Sequence, residues 1–234
     1  MRDMPDGIAL AIWILGLVGG VCFVTASLIR GSFLRYFFLN LYVLLTMSAD
    51  LCRQYILRSF GINSPEYYYL YYYTDCLLVI ALFIAVISLA SKVFVELQIA
   101  KFVRILAALL LVGTAGFSYA VVAQSTERLS TVFAYELSQN LYFVGLVLTY
   151  LLWGAVLKLQ ETRTRLVQMV LSLGLYFSAY AASYALFNVA SKYQVVQYLG
   201  PLLGCFLPIS WSLTMMRHSE ESRLTPARLV AVPR

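Results

Sequence analysis

The sequence predicts an all-α, polytopic membrane protein: a bundle of seven transmembrane helices with its amino terminus outside and its carboxyl terminus in the cytoplasm. Three observations predict it. Of 234 residues, 62% are hydrophobic and only 12% charged, where a soluble domain carries about 25% charged residues. Apolar runs of about 20 residues, enough helix to cross a bilayer core about 30 Å thick, recur along the whole chain. The cations between these runs are unevenly distributed, and that asymmetry sets an orientation.

The spans lie near 7–29, 33–56, 67–90, 102–123, 135–157, 166–187 and 195–216. The first follows a short polar start with Arg2, Asp3 and Asp6; its apolar run exceeds the roughly 7–15 residues of a signal-peptide core, so it reads as a retained helix. Gly16, Gly19 and Gly20 on it suit close helix approach. Arg30-Gly31-Ser32 ends it. The second span carries Asn40 and, nearer its end, Asp50, Arg53 and Gln54 at i, i+3 and i+4, a spacing that shares one helix face.

Gly61, Asn63, Ser64 and Pro65 form a turn signal. The third span then opens on Tyr67, Tyr68, Tyr69, Tyr71, Tyr72 and Tyr73, with Asp75 beyond them. So many tyrosines cover every face of a helix, as an interfacial aromatic belt does. A charged stretch over 92–101 separates the third and fourth spans. The fifth opens on Glu136, Gln139 and Asn140, a second polar stripe. The sixth carries Tyr180, Tyr184 and Asn188 at intervals of four, and the seventh contains Pro201 and Pro208, which remove backbone donors and are the candidate hinge. Residues 1–216 thus form the membrane domain, and 217–234 a short basic tail.

With the amino terminus outside, the inner side holds Arg30, Arg35, Lys92, Lys101, Arg104, Lys158, Arg163, Arg165, Arg217, Arg223, Arg228 and Arg234. The outer side keeps Arg2, Arg53, Arg58, Arg128 and Lys192. That is 12 against 5 of the 17 cations, and the excess marks the cytoplasmic side. A bacterial inner membrane is the expected location.

Several chemistries lack their residues. The single histidine, His218, follows the last span, which leaves no pair for haem and no cluster for zinc. No lysine lies within the seventh span to form a retinal Schiff base, and no glycine-rich phosphate cradle is present. Cys22, Cys52, Cys76 and Cys205 are isolated; Cys52 and Cys76 fall near the same side, and their pairing stays open. The expectation is a protein that is not an enzyme, with no cofactor, no metal and no nucleic-acid partner.

Asp75 is the leading candidate for function. At about 1.5 Å per residue it sits ~12 Å inward from Tyr67, where an ionised carboxylate costs on the order of 2.5–3.5 kcal/mol and needs a partner or a wet cavity. Arg53 on the antiparallel second span is the expected partner. The predicted ligand-binding lining is Asp75, Arg53, Asp50, Glu136, Gln139 and Asn140, with Tyr72 and Tyr184 as aromatic walls.

The run from Tyr67 to Asp75, followed by an apolar helix and the charged stretch from Lys92, resembles the third-span entry of a group of uncharacterised bacterial seven-helix membrane proteins. The segment Glu136-Leu-Ser-Gln-Asn-Leu-Tyr-Phe-Val144 is similar to their fifth-span entry, with Gln139 and Asn140 where that group has basic residues. The resemblance implies the seven-helix fold and carries no activity with it.

The resulting expectation is a membrane sensor or small-ligand-binding module. It would have an outward-facing polar cavity and signal through a separate cytoplasmic or membrane protein. A small-solute or cation/proton transporter or channel is the alternative, and a structural subunit of a membrane complex the second.

Overall fold

A computed structural model of the chain describes residues 6–61, 64–94, 100–123, 129–158, 164–190 and 194–218. The basic tail from 219 onward lies outside the described residues, as do the side chains of Tyr184, Asn188 and Gln194. Seven helices follow one another: α1 (Asp6–Ile29), α2 (Phe37–Phe60), α3 (Pro65–Val93), α4 (Ala100–Ala123), α5 (Leu129–Lys158), α6 (Thr164–Ala190) and α7 (Gln194–Arg217). Among the described residues there is no strand.

Five of these helices contain stretches long and apolar enough to cross a membrane, at 10–29, 65–93, 132–158, 164–183 and 199–217. Two of the expected spans fall short of that measure. In α2 the reason is charge, since Asp50, Arg53 and Arg58 interrupt it; in α4 the apolar stretch is shorter, Ala108–Ala123. The outer surface is apolar in the manner of a membrane protein: Val18, Val21, Leu109, Val112, Val147 and Leu151 are all more than 50% exposed, and such a surface suits lipid rather than water.

Local chemistry sets the turns. Gly31 takes φ +61, its N–H bonds to the Leu28 carbonyl, and the Ser32 N–H bonds to the Ser27 carbonyl; this paired pattern closes a helix where only glycine adopts the left-handed backbone cheaply. At the start of α3 the Ser64 hydroxyl accepts from the Tyr67 N–H at 3.2 Å, with Pro65 in the first turn. A serine cap followed by proline is a strong helix start, so α3 begins two residues before the apolar run.

The helices form a closed ring in the order α1, α2, α3, α5, α6, α7, with α7 packing back on α1. Helix α4 lies outside it, against α3 and α5, and α3 also touches α6 across the interior. Small residues permit the tight seams. A Cβ on Gly19 would meet Ile209 at 2.8 Å, one on Gly20 would meet Met47 at 2.8 Å, and one on Gly174 would meet Trp153 at 2.9 Å.

One half of the ring is filled by large side chains. Phe23, Leu39, Leu207, Trp211 and Met215 are wholly buried, with Trp211 5.8 Å from the Phe23 ring and 6.0 Å from the Tyr42 ring. Below them, Arg165 at the start of α6 donates to Ser32 Oγ at 3.1 Å and to the His218 carbonyl. Asn40 is wholly buried and donates to Ser27 on α1 at 3.0 Å, which makes it interhelical glue. This half is here called the Arg165 end, and the opposite half the Asp6 end.

Candidate functional site

Asp75 falls on the core-facing stripe of α3. Val79, Leu82 and Val86 follow it at i+4, i+7 and i+11, and each is buried, so helical periodicity carries the carboxylate to the same side. Asp50 is placed in the same way on α2, above buried Val43 and Leu39. The ring therefore turns two acids inward, in the half nearer the Asp6 end.

Arg53 reaches from α2 to α3 as its spacing predicted, but it binds the neighbours of Asp75. Its Nε donates to Thr74 Oγ1 at 2.7 Å and a terminal nitrogen donates to the Tyr71 carbonyl at 3.1 Å. The guanidinium also lies 4.6 Å from the centroid of the Tyr71 ring, an attractive cation–π geometry. Its charge acts on both Asp50 and Asp75 through space.

From α5 the residue presented to Asp75 is Ser138. Its hydroxyl lies within hydrogen-bonding reach of the Asp75 carboxylate, and Ser138 itself is buried. From α6 comes Tyr180, electrostatically coupled to Asp75 and Tyr42; its hydroxyl donates to the Gly200 carbonyl of α7 at 3.4 Å. Tyr180 also stacks on Tyr142 at 4.7 Å and lies 4.6 Å from the Tyr176 ring. The Tyr176 and Tyr42 phenols lie within reach of each other beneath, so a layer of phenols separates the acids from the Trp211 plug.

The second expected stripe does not join this group as a unit. Asn140 donates to Ser118 of α4 at 3.0 Å and lines a crevice of about 400 Å³ with Leu109, Gly113, Phe117 and Phe143 between α4 and α5. Glu136 precedes Asn140 by one helical turn and shares its face, which lies away from Ser138. Gln139 is half-buried between the two faces. Of the three polar residues read as one inward stripe, Asn140 thus faces α4, because the added helix packs outside the ring.

Tyr72 stands at the α3–α5 seam, 4.6 Å from the Tyr68 ring and 6.3 Å from that of Tyr135. The expected role of Tyr184 concerns a side chain outside the described residues. Helix α7 passes through Pro201 and Pro208 as one helix, and Cys205 between them donates to the carbonyls of Ile12 and Pro201 at 3.1 and 3.3 Å. Cys52 and Cys76 are free thiols.

No protein-family model, no curated protein and no solved structure matches the chain. The arrangement of its own residues is what bears on function.

Proposed function

We propose that the chain is a multi-pass protein of the cytoplasmic membrane. On this reading it binds a small ligand from the outside at the level of Asp75 and passes the bound state to a separate protein partner. The observation that carries this reading is the convergence of Asp75, Asp50 and Arg53 inside one half of the helix ring. Intramembrane ionisable groups that face a bundle interior are expensive and mark functional sites, and pockets between helices use a few convergent polar groups. The cation excess at the Arg165 end supports the assignment of the Asp6 end to the outside.

Transport requires a continuous path to the opposite side. The buried layer of Phe23, Tyr42 and Trp211 lies across that path and favours a closed binding module over a channel. Movement of α7 about Pro201 or Pro208 would be needed to open it.

The test is thermal unfolding of the purified full chain against a panel of amines, amino acids and sugars at fixed salt. Wild type and Asp75→Asn are compared. A ligand at a hundred times its Kd adds about 2.7 kcal/mol, so a rise in wild type that vanishes in Asp75→Asn supports the reading. No rise with any compound, in a folded wild type, would replace it with a structural-subunit role.

A further inference from the structure

We propose that the α1–α7 seam, where it reaches the Arg165 end, seats the headgroup of one anionic phospholipid, with Arg30 and Arg217 as the cations that hold its phosphate. The inference stands apart from the Asp75 reading and needs only a bilayer around the bundle. Its first support is depth. The apolar stretches of α1 and α7 end at Ile29 and Arg217, so Arg30 and Arg217 both stand at the edge of the hydrocarbon, the level of lipid phosphates. They also stand together. Arg30 crosses the seam to donate to the carbonyls of Met216 and His218, the two residues that flank Arg217 in the chain.

The second support is charge. Arg30 and Arg217 are exposed. The two bonds of Arg30 go to neutral carbonyls and take two of the five N–H donors that a guanidinium carries. A second guanidinium, that of Arg165, donates to the same His218 oxygen at 2.6 Å, which concentrates positive charge at this corner. Among the described side chains the acids, Asp50, Glu66, Asp75 and Glu136, all belong to the Asp6 end. Guanidinium groups bind phosphate through paired, charge-assisted hydrogen bonds, and basic corners between membrane helices are where acidic headgroups settle.

Apolar surface selects a lipid over a soluble phosphate. On α7, Leu213 and Met216 share the exposed face of Arg217, at 44% and 52% exposed. On α1, Val21 and Leu28 are one face apart by seven residues and are 52% and 58% exposed, leading up to Arg30. Two apolar stripes thus run from the pair of cations toward the middle of the bundle, one on each side of the seam. Cations at the boundary with open apolar stripes beneath them match the layout of a phospholipid, a charged phosphate above its acyl chains. A soluble phosphate would meet the arginines and gain nothing from the stripes.

The experiment titrates the full chain in a neutral detergent with phosphatidylglycerol, phosphatidylcholine or inorganic phosphate and follows the melting temperature. Phosphatidylglycerol should give a saturable rise of a few degrees over phosphatidylcholine. Its apparent affinity should weaken about fivefold in Arg30→Gln and again in Arg217→Gln, the effect of one cation near a membrane surface. Arg217 carries none of the bonds that hold α7, so its variant keeps the test sound if Arg30→Gln loosens that helix. Arg58→Gln, an exposed cation at the Asp6 end, and Asp75→Asn should leave the affinity unchanged. An equal response to both lipids, or equal weakening by Arg58→Gln, overturns the assignment, as does inorganic phosphate matching phosphatidylglycerol at the same concentration. Native mass spectrometry of wild type with an equimolar mixture of the two lipids decides the matter without any variant: one phosphatidylglycerol retained per chain is expected, and no preference overturns the proposal. Neither failure touches the Asp75 reading, which is tested with soluble compounds.

Discussion

The Arg53 guanidinium on α2 donates to the Thr74 hydroxyl on α3 at 2.7 Å, one residue before Asp75. Two helices joined by a short turn are thereby tied at the level of the interior acids. Charge-assisted hydrogen bonds contribute about 1.5–3 kcal/mol when partly buried, and Arg53 is half-buried, so the lower end of that range applies. Arg53→Ala is expected to lower stability by about 1–2 kcal/mol, or a few degrees in melting temperature. Arg53→Lys should recover less than half of the loss, because an ammonium cannot reach Thr74 and stack on Tyr71 together. Full recovery by lysine would show that only the charge matters.

Between α5 and α6 the controlling fact is space. A Cβ on Gly145 would collide with the Phe177 ring, and that ring is buried against Tyr142 and Tyr176. Overpacking typically costs about 1–3 kcal/mol, so Gly145→Ala should destabilise by that amount, with partial rescue by Phe177→Leu. Gly154, also on α5, has nothing within 4 Å of its added Cβ. Gly154→Ala should be neutral or stabilising, given the helix preference for alanine of roughly 1 kcal/mol. Equal effects of the two substitutions in thermal unfolding would contradict the packing.

Much of the architecture was legible because membrane helices announce themselves by length and apolarity, and the inward face of Asp75 followed from its register with Val79 and Leu82. The order of the helices in space was not legible. That order decides the fate of the stripe on α5: Asn140 faces Ser118 because α4 packs outside the ring, and Ser138, two residues away, faces the acids instead. A serine among apolar residues gives no periodic signal by itself. The phenol layer was equally hidden, since Tyr42, Tyr142, Tyr176 and Tyr180 come from three helices and meet only once the ring closes. Arg53 approaches Asp75 as the spacing suggests, but its hydrogen bonds go to Thr74 and the Tyr71 carbonyl, for sequence spacing brings it to the level of Asp75 without saying which of the residues there offers the better acceptor.

The orientation yields its own test. Twelve of the 17 cations collect on the side expected to be cytoplasmic, and that bias predicts where reporters fused after Arg234 will function. A fluorescent protein at that end should fold and fluoresce, while alkaline phosphatase, which needs an oxidising compartment for its disulfides, should remain inactive. The opposite pattern would invert the assignment of outside to the Asp6 end and close the Asp75 site to extracellular ligands.

At the far end of the bundle, two arginines grip the end of α7. Arg165, 3% exposed, donates to the His218 carbonyl at 3.2 and 2.6 Å, and Arg30 donates to the same oxygen at 2.8 Å and to the Met216 carbonyl. The last carbonyls of a helix have no intrahelical donors, and cations stabilise that negative end of the dipole. Arg165→Ala should therefore loosen the last turn of α7, raising hydrogen exchange over 214–218 by about tenfold, the equivalent of roughly 1.4 kcal/mol. Arg30→Ala should do less, since its bonds lie at the exposed surface. Because both arginines share one acceptor, the double variant should lose less than the sum of the two single losses. Exchange in α3 around Asp75 should stay unchanged in all three, and its acceleration would mean that the two ends of the bundle are coupled through α7.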